Sequence, residues 1–163
     1  MANISYLYND LIICVIKDFI MGELSNNAVE NYNSEIAKFE WKALTFLIAE
    51  DVDINYQILE EGLKKTKVNI LWAKNGKEAV DLFSKNEDIS LVLTDLQMPV
   101  MDGFDSTREM RESNKDIPII AYTAYAYEGV TEKIVLAGAN ECLLKPFANK
   151  KLLNTLRKYL FIS

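Results

Sequence analysis

The sequence VLTDLQMPVMDG occupies residues 92–103 and contains the features that decide the fold. It begins as a run of strand-forming residues that ends in a single carboxylate, Asp95. A proline follows at position 99, and the stretch closes on Asp102-Gly103, a dipeptide typical of turns. A buried strand therefore brings one carboxylate to its tip and then ends, which suggests that Asp95 has a chemical role.

Segments with strand and helix character alternate on both sides of this stretch. Strands are predicted at 44–49, 68–73, 89–94, 117–122 and 140–145, and helices at 53–65, 77–85, 104–112, 128–137 and 150–159. Such alternation is typical of a parallel sheet with helices on both faces, and continuously apolar strands agree because both faces are covered. We therefore predict an α/β domain at residues 41–163, with a doubly wound, five-stranded parallel sheet.

Residues 1–40 do not follow this alternation, and we predict an N-terminal helical extension or linker there. The segment 11–24 is predicted to form one very apolar helix, and the Asn-rich segment 25–33 to form a connector. A helix that is apolar nearly all round must be buried. It would pack on the domain, belong to an upstream linker, join two copies of the chain as a homodimer, or serve as a docking helix.

The composition restricts the classes of function. Hydrophobic residues make up 50% and the net charge is −6, which is typical of a globular protein and gives no support for nucleic-acid binding. The apolar run at 11–20 is too short to span a bilayer.

Cys14 and Cys142 match no metal or redox spacing, so we expect a cytoplasmic protein. The absence of histidine excludes histidine acid–base catalysis and a phosphohistidine on this chain.

Polar side chains follow several of the predicted strands: Glu50, Asp51, Asp95, Thr123 and Lys145. Ligands of open parallel sheets bind at the carboxyl ends of the strands, so these side chains should converge. Three clustered carboxylates resist ionising together unless a cation joins them, and oxygen ligands without His or Cys suit Mg²⁺. With Lys145 and Thr123 available to bind oxygens, we expect Asp95 to be a nucleophile that accepts a phosphoryl group.

Four motifs in register resemble the receiver domain of two-component response regulators, most closely the receivers of hybrid sensor kinases. They are IAEDVDIN (48–55), TDLQMPVMDG (94–103), IIAYTA (119–124) and LLKPF (143–147). The resemblance covers about residues 44–160. It implies a flavodoxin-like strand order of 2-1-3-4-5 and identifies Asp95 as the phosphoacceptor.

The resemblance also implies roles for the other residues of the site. Asp51 would bind Mg²⁺ directly, Glu50 would act through a coordinated water, and the backbone carbonyl of Gln97 would complete the metal site. Thr123 and Lys145 would hold the phosphoryl oxygens.

Two positions depart from the family pattern, and at the first of them Glu50 stands in place of an Asp, which lengthens the reach to the metal-bound water. Receivers usually carry Tyr or Phe three residues before the lysine, as a switch that turns inward on phosphorylation, and this chain has Cys142 there. A cysteine cannot reproduce a swinging aromatic ring. Our hypothesis is that one of Tyr122, Tyr125 and Tyr127 substitutes for it.

The predicted function is a phosphoacceptor signalling module that receives its phosphoryl group from a histidine kinase or a histidine phosphotransfer protein. It would be a stand-alone regulator or part of a hybrid kinase, and would catalyse no more than its own phosphorylation and dephosphorylation. One alternative is a receiver-like interaction module that is never phosphorylated. Another is an aspartyl-phosphate hydrolase, although Gln97 stands where dehalogenase-like phosphatases need a second Asp. A flavodoxin-like nucleotide-binding protein lacks support because there is no Gly-rich phosphate loop.

Overall fold

The computed structural model describes residues 40–124 and 129–160, in which strands and helices alternate as predicted. The elements are β1 (Thr45–Ala49), α1 (Asp53–Leu63), β2 (Asn69–Ala73), α2 (Gly76–Lys85), β3 (Ile89–Asp95), α3 (Gly103–Ser113), β4 (Ile119–Thr123), α4 (Val130–Ala137), β5 (Glu141–Leu144) and α5 (Asn149–Leu160). Except for Glu40, the predicted N-terminal extension lies outside the described residues, and so do Tyr125 and Tyr127. None of the described helices is both long and apolar enough to cross a membrane.

The five strands form one parallel sheet in the order β2-β1-β3-β4-β5. This confirms the predicted fold class and strand order. The chain leaves β1 for β2 on one side and then crosses to β3 on the other side. The order therefore reverses between β1 and β3, and a crevice forms at the carboxyl ends of these two strands.

Both faces of the sheet are buried, which explains why the strands are apolar without alternation. On the face covered by α1 and α5, the buried strand residues are Phe46, Ile48, Leu91, Leu93, Ile120, Tyr122 and Leu143. On the face covered by α2, α3 and α4, they are Leu47, Ala49, Ala73, Ile89, Val92, Ile119 and Ala121.

The element ends differ slightly from the predicted ones. The helix predicted to reach residue 65 ends at Leu63 and tightens into a 3₁₀ turn at Lys64–Thr66, after which Lys67 has a φ of 60°. The strand predicted at 117–122 starts after Pro118 and extends to Thr123. The second difference matters for function, because it makes Thr123 the last residue of β4.

Candidate functional site

Asp95 is the last residue of β3 and lies between β1 and β4 at the carboxyl edge of the sheet. Its residue surface is only 8% exposed. The backbone N–H of Gln97 donates to Asp95 Oδ1 over 3.2 Å, and Lys145 Nζ donates to Oδ2 over 2.6 Å. Both carboxylate oxygens therefore have a donor, and the side chain is held in one orientation.

The loop after β3 turns back onto the strand that precedes it. Gly103 N–H donates to the carbonyl of Leu96 over 3.0 Å, and the Asp102 side chain begins α3 by accepting from Asp105 N–H over 2.8 Å. A Cβ atom on Gly103 would lie 2.0 Å from the carbonyl oxygen of Asp95. Glycine is therefore required at the point where α3 begins against the acidic residue, which explains the Asp-Gly pair of the sequence.

Glu50 follows β1 and is completely buried. Its Oε1 accepts from Val52 N–H and from Asn55 Nδ2, both over 3.1 Å. Its Oε2 accepts from Lys145 Nζ and from the Tyr122 hydroxyl, both over 3.0 Å. An ionised carboxylate offers about four acceptor positions, so protein donors account for all of those on Glu50.

Lys145 contacts the carboxylates of both Glu50 and Asp95. It follows β5, its backbone N–H donates to Thr123 O over 2.7 Å, and its side chain is 20% exposed. The ammonium lies between Glu50 and Asp95 and supplies the positive charge that two neighbouring buried carboxylates need. Burial nevertheless raises the pKa of Asp95 above its ordinary value, because it outweighs the opposing effects of Lys145 and the Gln97 N–H.

The remaining predicted residues are found at the same edge of the sheet. Thr123 is completely buried at the end of β4, Asp51 is half-buried next to Glu50, and Gln97 is exposed two residues after Asp95. The structure brings Glu50, Asp95 and Lys145 into direct contact. Within residues 40–124 and 129–160, no three Asp, Glu, His or Cys side chains are grouped closely enough for a metal site. The predicted cluster of three carboxylates is therefore not formed among these residues, and the Lys145 ammonium lies between Glu50 and Asp95.

Two residues that sequence reasoning did not assign to the site are in contact with Glu50. Asn55 lies in α1, five residues after Glu50, as the last residue of the motif IAEDVDIN. Tyr122 stands opposite Asp95 in the β3–β4 register. Burial, and next the charge of Glu50, raises the pKa of Tyr122 well above its ordinary value, so its hydroxyl stays protonated and donates. An apolar strand offers no signal that its tyrosine reaches an acid.

The structure also limits the hypothesis about the missing switch residue. Tyr122 lies inside β4 and packs on the α1 and α5 face, whereas Cys142 packs on the opposite face of the sheet. Tyr122 therefore cannot take the place of an aromatic ring at position 142. For Tyr125 and Tyr127 the hypothesis stays a prediction. Cys142 is a partly buried free thiol, and burial raises its pKa.

Comparisons with known proteins identify the family of the chain. The family model for the response regulator receiver domain matches residues 46–157. The chain belongs to this family, and is thus a receiver domain of two-component phosphorelay signalling, as its four motifs predicted.

Individual relatives show where such domains occur. Hybrid signal transduction histidine kinase I of Dictyostelium discoideum is 36% identical over 138 residues, which are 80% of this chain but only 8% of that protein. The chain therefore spans a small part of that kinase.

Two solved structures resemble the described fold. The receiver domain of sensor histidine kinase PA1611 from Pseudomonas aeruginosa, with a magnesium ion in its active-site cleft, has a TM-score of 0.67 and 31% identity, over 72% of this chain and 98% of that one. The receiver of Ssk1 from Saccharomyces cerevisiae, crystallised with the histidine phosphotransfer protein Ypd1, has a TM-score of 0.66 and 30% identity. The match covers 71% of this chain and 88% of that one.

Proposed function

We propose that Asp95 accepts a phosphoryl group from the phosphohistidine of a histidine kinase or a histidine phosphotransfer protein. The observation that carries this proposal is the contact of 2.6 Å between Lys145 Nζ and Asp95 Oδ2 at the crevice between β1 and β3. A cation fixed on a carboxylate oxygen is also placed to bind the negative charge of a phosphoryl group on that oxygen.

The proposed transfer is a single displacement at phosphorus. An oxygen of the ionised Asp95 forms a P–O bond while the P–N bond of the donor breaks, and the imidazole of the donor leaves with the bonding electron pair and takes up a proton. Lys145 then leaves Glu50 and follows the phosphoryl oxygens, together with the hydroxyl of Thr123. The reaction uses no acid or base from this chain, in agreement with its lack of histidine.

The donor set of the site fits Mg²⁺. The side chains that would hold the ion are Asp51 and Asp95, with Glu50 behind them and the carbonyl of Gln97 beside them; all offer oxygen, the ligand that Mg²⁺ prefers. Asp51 forms no ion pair with the other described residues, so its charge is available for a cation. When bound, Mg²⁺ neutralises the charge on the phosphoryl oxygens during transfer.

Intact-mass spectrometry of the full chain with acetyl phosphate tests the proposal. We expect one phosphoryl adduct in the presence of Mg²⁺ and none when EDTA removes the ion, because the charge on the phosphoryl oxygens would then lack a counter-ion. If the folded protein binds Mg²⁺ and still gains no adduct, with either acetyl phosphate or a phosphorylated phosphotransfer protein, the module does not act as a phosphoacceptor. The alternative of an interaction module would then be favoured.

We propose that the phosphodonor docks on the surface of α1. A donor histidine must reach Asp95, so the donor has to cover the residues that border the site. Val52 directly follows Asp51 and is 42% exposed, and Ile54 and Ile58 on α1 are 56% and 57% exposed. Exposed apolar side chains next to a reactive crevice are typical of a protein-binding surface.

Ile54→Ser should slow phosphotransfer from Ypd1, used as a probe donor, by roughly 10-fold, which corresponds to a loss of about 1.4 kcal/mol of contact energy. Phosphorylation by acetyl phosphate should not change, because a small donor needs no docking surface. Both rates are measured from the fraction of adduct over time. Leu136→Ser, on α4 and 84% exposed, is the matched control. Equal slowing in both variants would contradict docking at α1.

The remaining features of the proposal rest on sequence alone. We propose that the chain is a phosphoacceptor whose only catalysis concerns its own phosphoryl group, that it is cytoplasmic, and that residues 41–163 form the receiver. A homodimer formed through residues 1–40 stays a prediction.

A further inference from the structure

Tyr122 contacts two charged side chains of the site, Glu50 and Lys145. Its side chain is completely buried, and its hydroxyl lies 3.0 Å from Glu50 Oε2 and 3.3 Å from the Ala49 carbonyl. A hydroxyl has one hydrogen to donate, and an ionised carboxylate is the stronger acceptor, so the bond to Glu50 dominates. Lys145 Nζ lies 4.3 Å from the centroid of the Tyr122 ring. The same residue thus supports the acid and the ammonium.

The four donors of Glu50 differ in their freedom to move. Val52 contributes a backbone N–H, Asn55 is anchored in α1, and Tyr122 is enclosed in the core, where its neighbours Ile120 and Leu143 are apolar. Lys145 alone among the four has a long flexible side chain that reaches solvent. It is also the donor that the proposed transfer draws away, because its ammonium must follow the phosphoryl group on Asp95.

Loss of Lys145 would leave Glu50 Oε2 with a single donor from the described residues, the Tyr122 hydroxyl. Glu50 has no access to solvent through its own surface. A buried carboxylate that lacks donors is unfavourable and tends to turn toward other donors. It would then no longer support the metal site.

We propose that Tyr122 is a positioning residue of the phosphoacceptor site, whose hydroxyl holds the Glu50 side chain in place when Lys145 moves to the phosphoryl group. The proposal rests on the proposed function and adds a residue to it. The Tyr122 hydroxyl acts through Glu50, to which it donates.

Tyr122→Phe removes the hydroxyl and keeps the ring beneath Lys145. We expect Mg²⁺ binding, followed by tryptophan fluorescence, to weaken on the order of 5-fold, because Glu50 loses a hydrogen bond that a charged acceptor makes strong. Trp72 reports on the site because its Nε1–H donates to the Glu50 carbonyl over 2.8 Å. The rate of adduct formation should fall at low Mg²⁺ and recover at saturating Mg²⁺.

Tyr159→Phe is the matched control, because the Tyr159 hydroxyl also donates to a glutamate, Glu141 Oε2, over 2.8 Å at a distant edge of the fold. It should leave Mg²⁺ binding unchanged. In a Glu50→Gln background, Tyr122→Phe should lose most of its effect on Mg²⁺ affinity, since the two residues act as one unit.

Unchanged or tighter Mg²⁺ binding by folded Tyr122→Phe would overturn the positioning role, and so would an equal effect in the Glu50→Gln background. These outcomes differ from failure of the proposed function. If the proposed function were wrong, the unmodified chain itself would form no adduct with Mg²⁺ present.

Discussion

Asp95→Asn should abolish the phosphoryl adduct and leave the fold at least as stable as before. The amide has the shape of the carboxylate but is not a nucleophile at phosphorus. Burial raises the pKa of Asp95 in the folded chain, so folding disfavours its ionised form at neutral pH relative to the unfolded chain. A neutral side chain removes that cost, and Lys145 keeps its contact with Glu50.

The first measurement is intact mass after incubation with acetyl phosphate and Mg²⁺, and the second is the urea midpoint of unfolding. Asp81→Asn is the matched control: it removes the same charge on α2, where Asp81 pairs with Lys77 at an exposed position, and should leave the adduct intact. An adduct that persists in Asp95→Asn would assign the phosphoryl group to another residue. A large fall in the urea midpoint would contradict the stability argument.

Gly103→Ala should have the largest effect on stability, with a loss of about 3 kcal/mol or more in the free energy of unfolding. The new Cβ would lie 2.0 Å from the Asp95 carbonyl oxygen and 2.8 Å from Leu96 Cα. Both are backbone atoms, so no side chain can turn aside to relieve the overlap. Either α3 moves away or the end of β3 is displaced, and in the second case Asp95 loses its position opposite Lys145.

Chemical denaturation measures the loss, and the rate of adduct formation shows whether the site is displaced as well. Gly62→Ala in α1 is the control, because its nearest atom is the Asn149 side-chain oxygen at 2.6 Å, which can move. There the gain in helix propensity, roughly 1 kcal/mol, offsets the disturbance, so stability should change little. A similar change in the free energy of unfolding in the two variants would show that the backbone overlap at Gly103 does not determine the loss of stability.

The residues at the strand ends were predictable because a parallel sheet places the carboxyl ends of all its strands at one edge. Once the apolar runs were located, Glu50, Asp95, Thr123 and Lys145 had to lie near one another. The strand order was predictable for a different reason: four short motifs in register resembled a family whose order is known.

The hydrogen bonds within the site were not predictable in the same way. A predicted cluster of three carboxylates suggested a cation among them, yet in the structure the Lys145 ammonium already lies between Glu50 and Asp95. Which cation occupies that place depends on distances between residues up to 95 positions apart in the chain, and local sequence contains no information about such distances.

The sequence by itself determined the alternation of strands and helices, the carboxyl edge of the sheet, and the place of Asp95 at that edge, because these follow from periodicity and from local turn chemistry. Only the tertiary structure decided that Tyr122 supports Glu50 while Cys142 packs on the other face. A strand that is buried on both sides has no polar alternation to show which way each side chain points. The helices that cover the sheet decide which face each side chain points to. This in turn decides which donors surround Glu50.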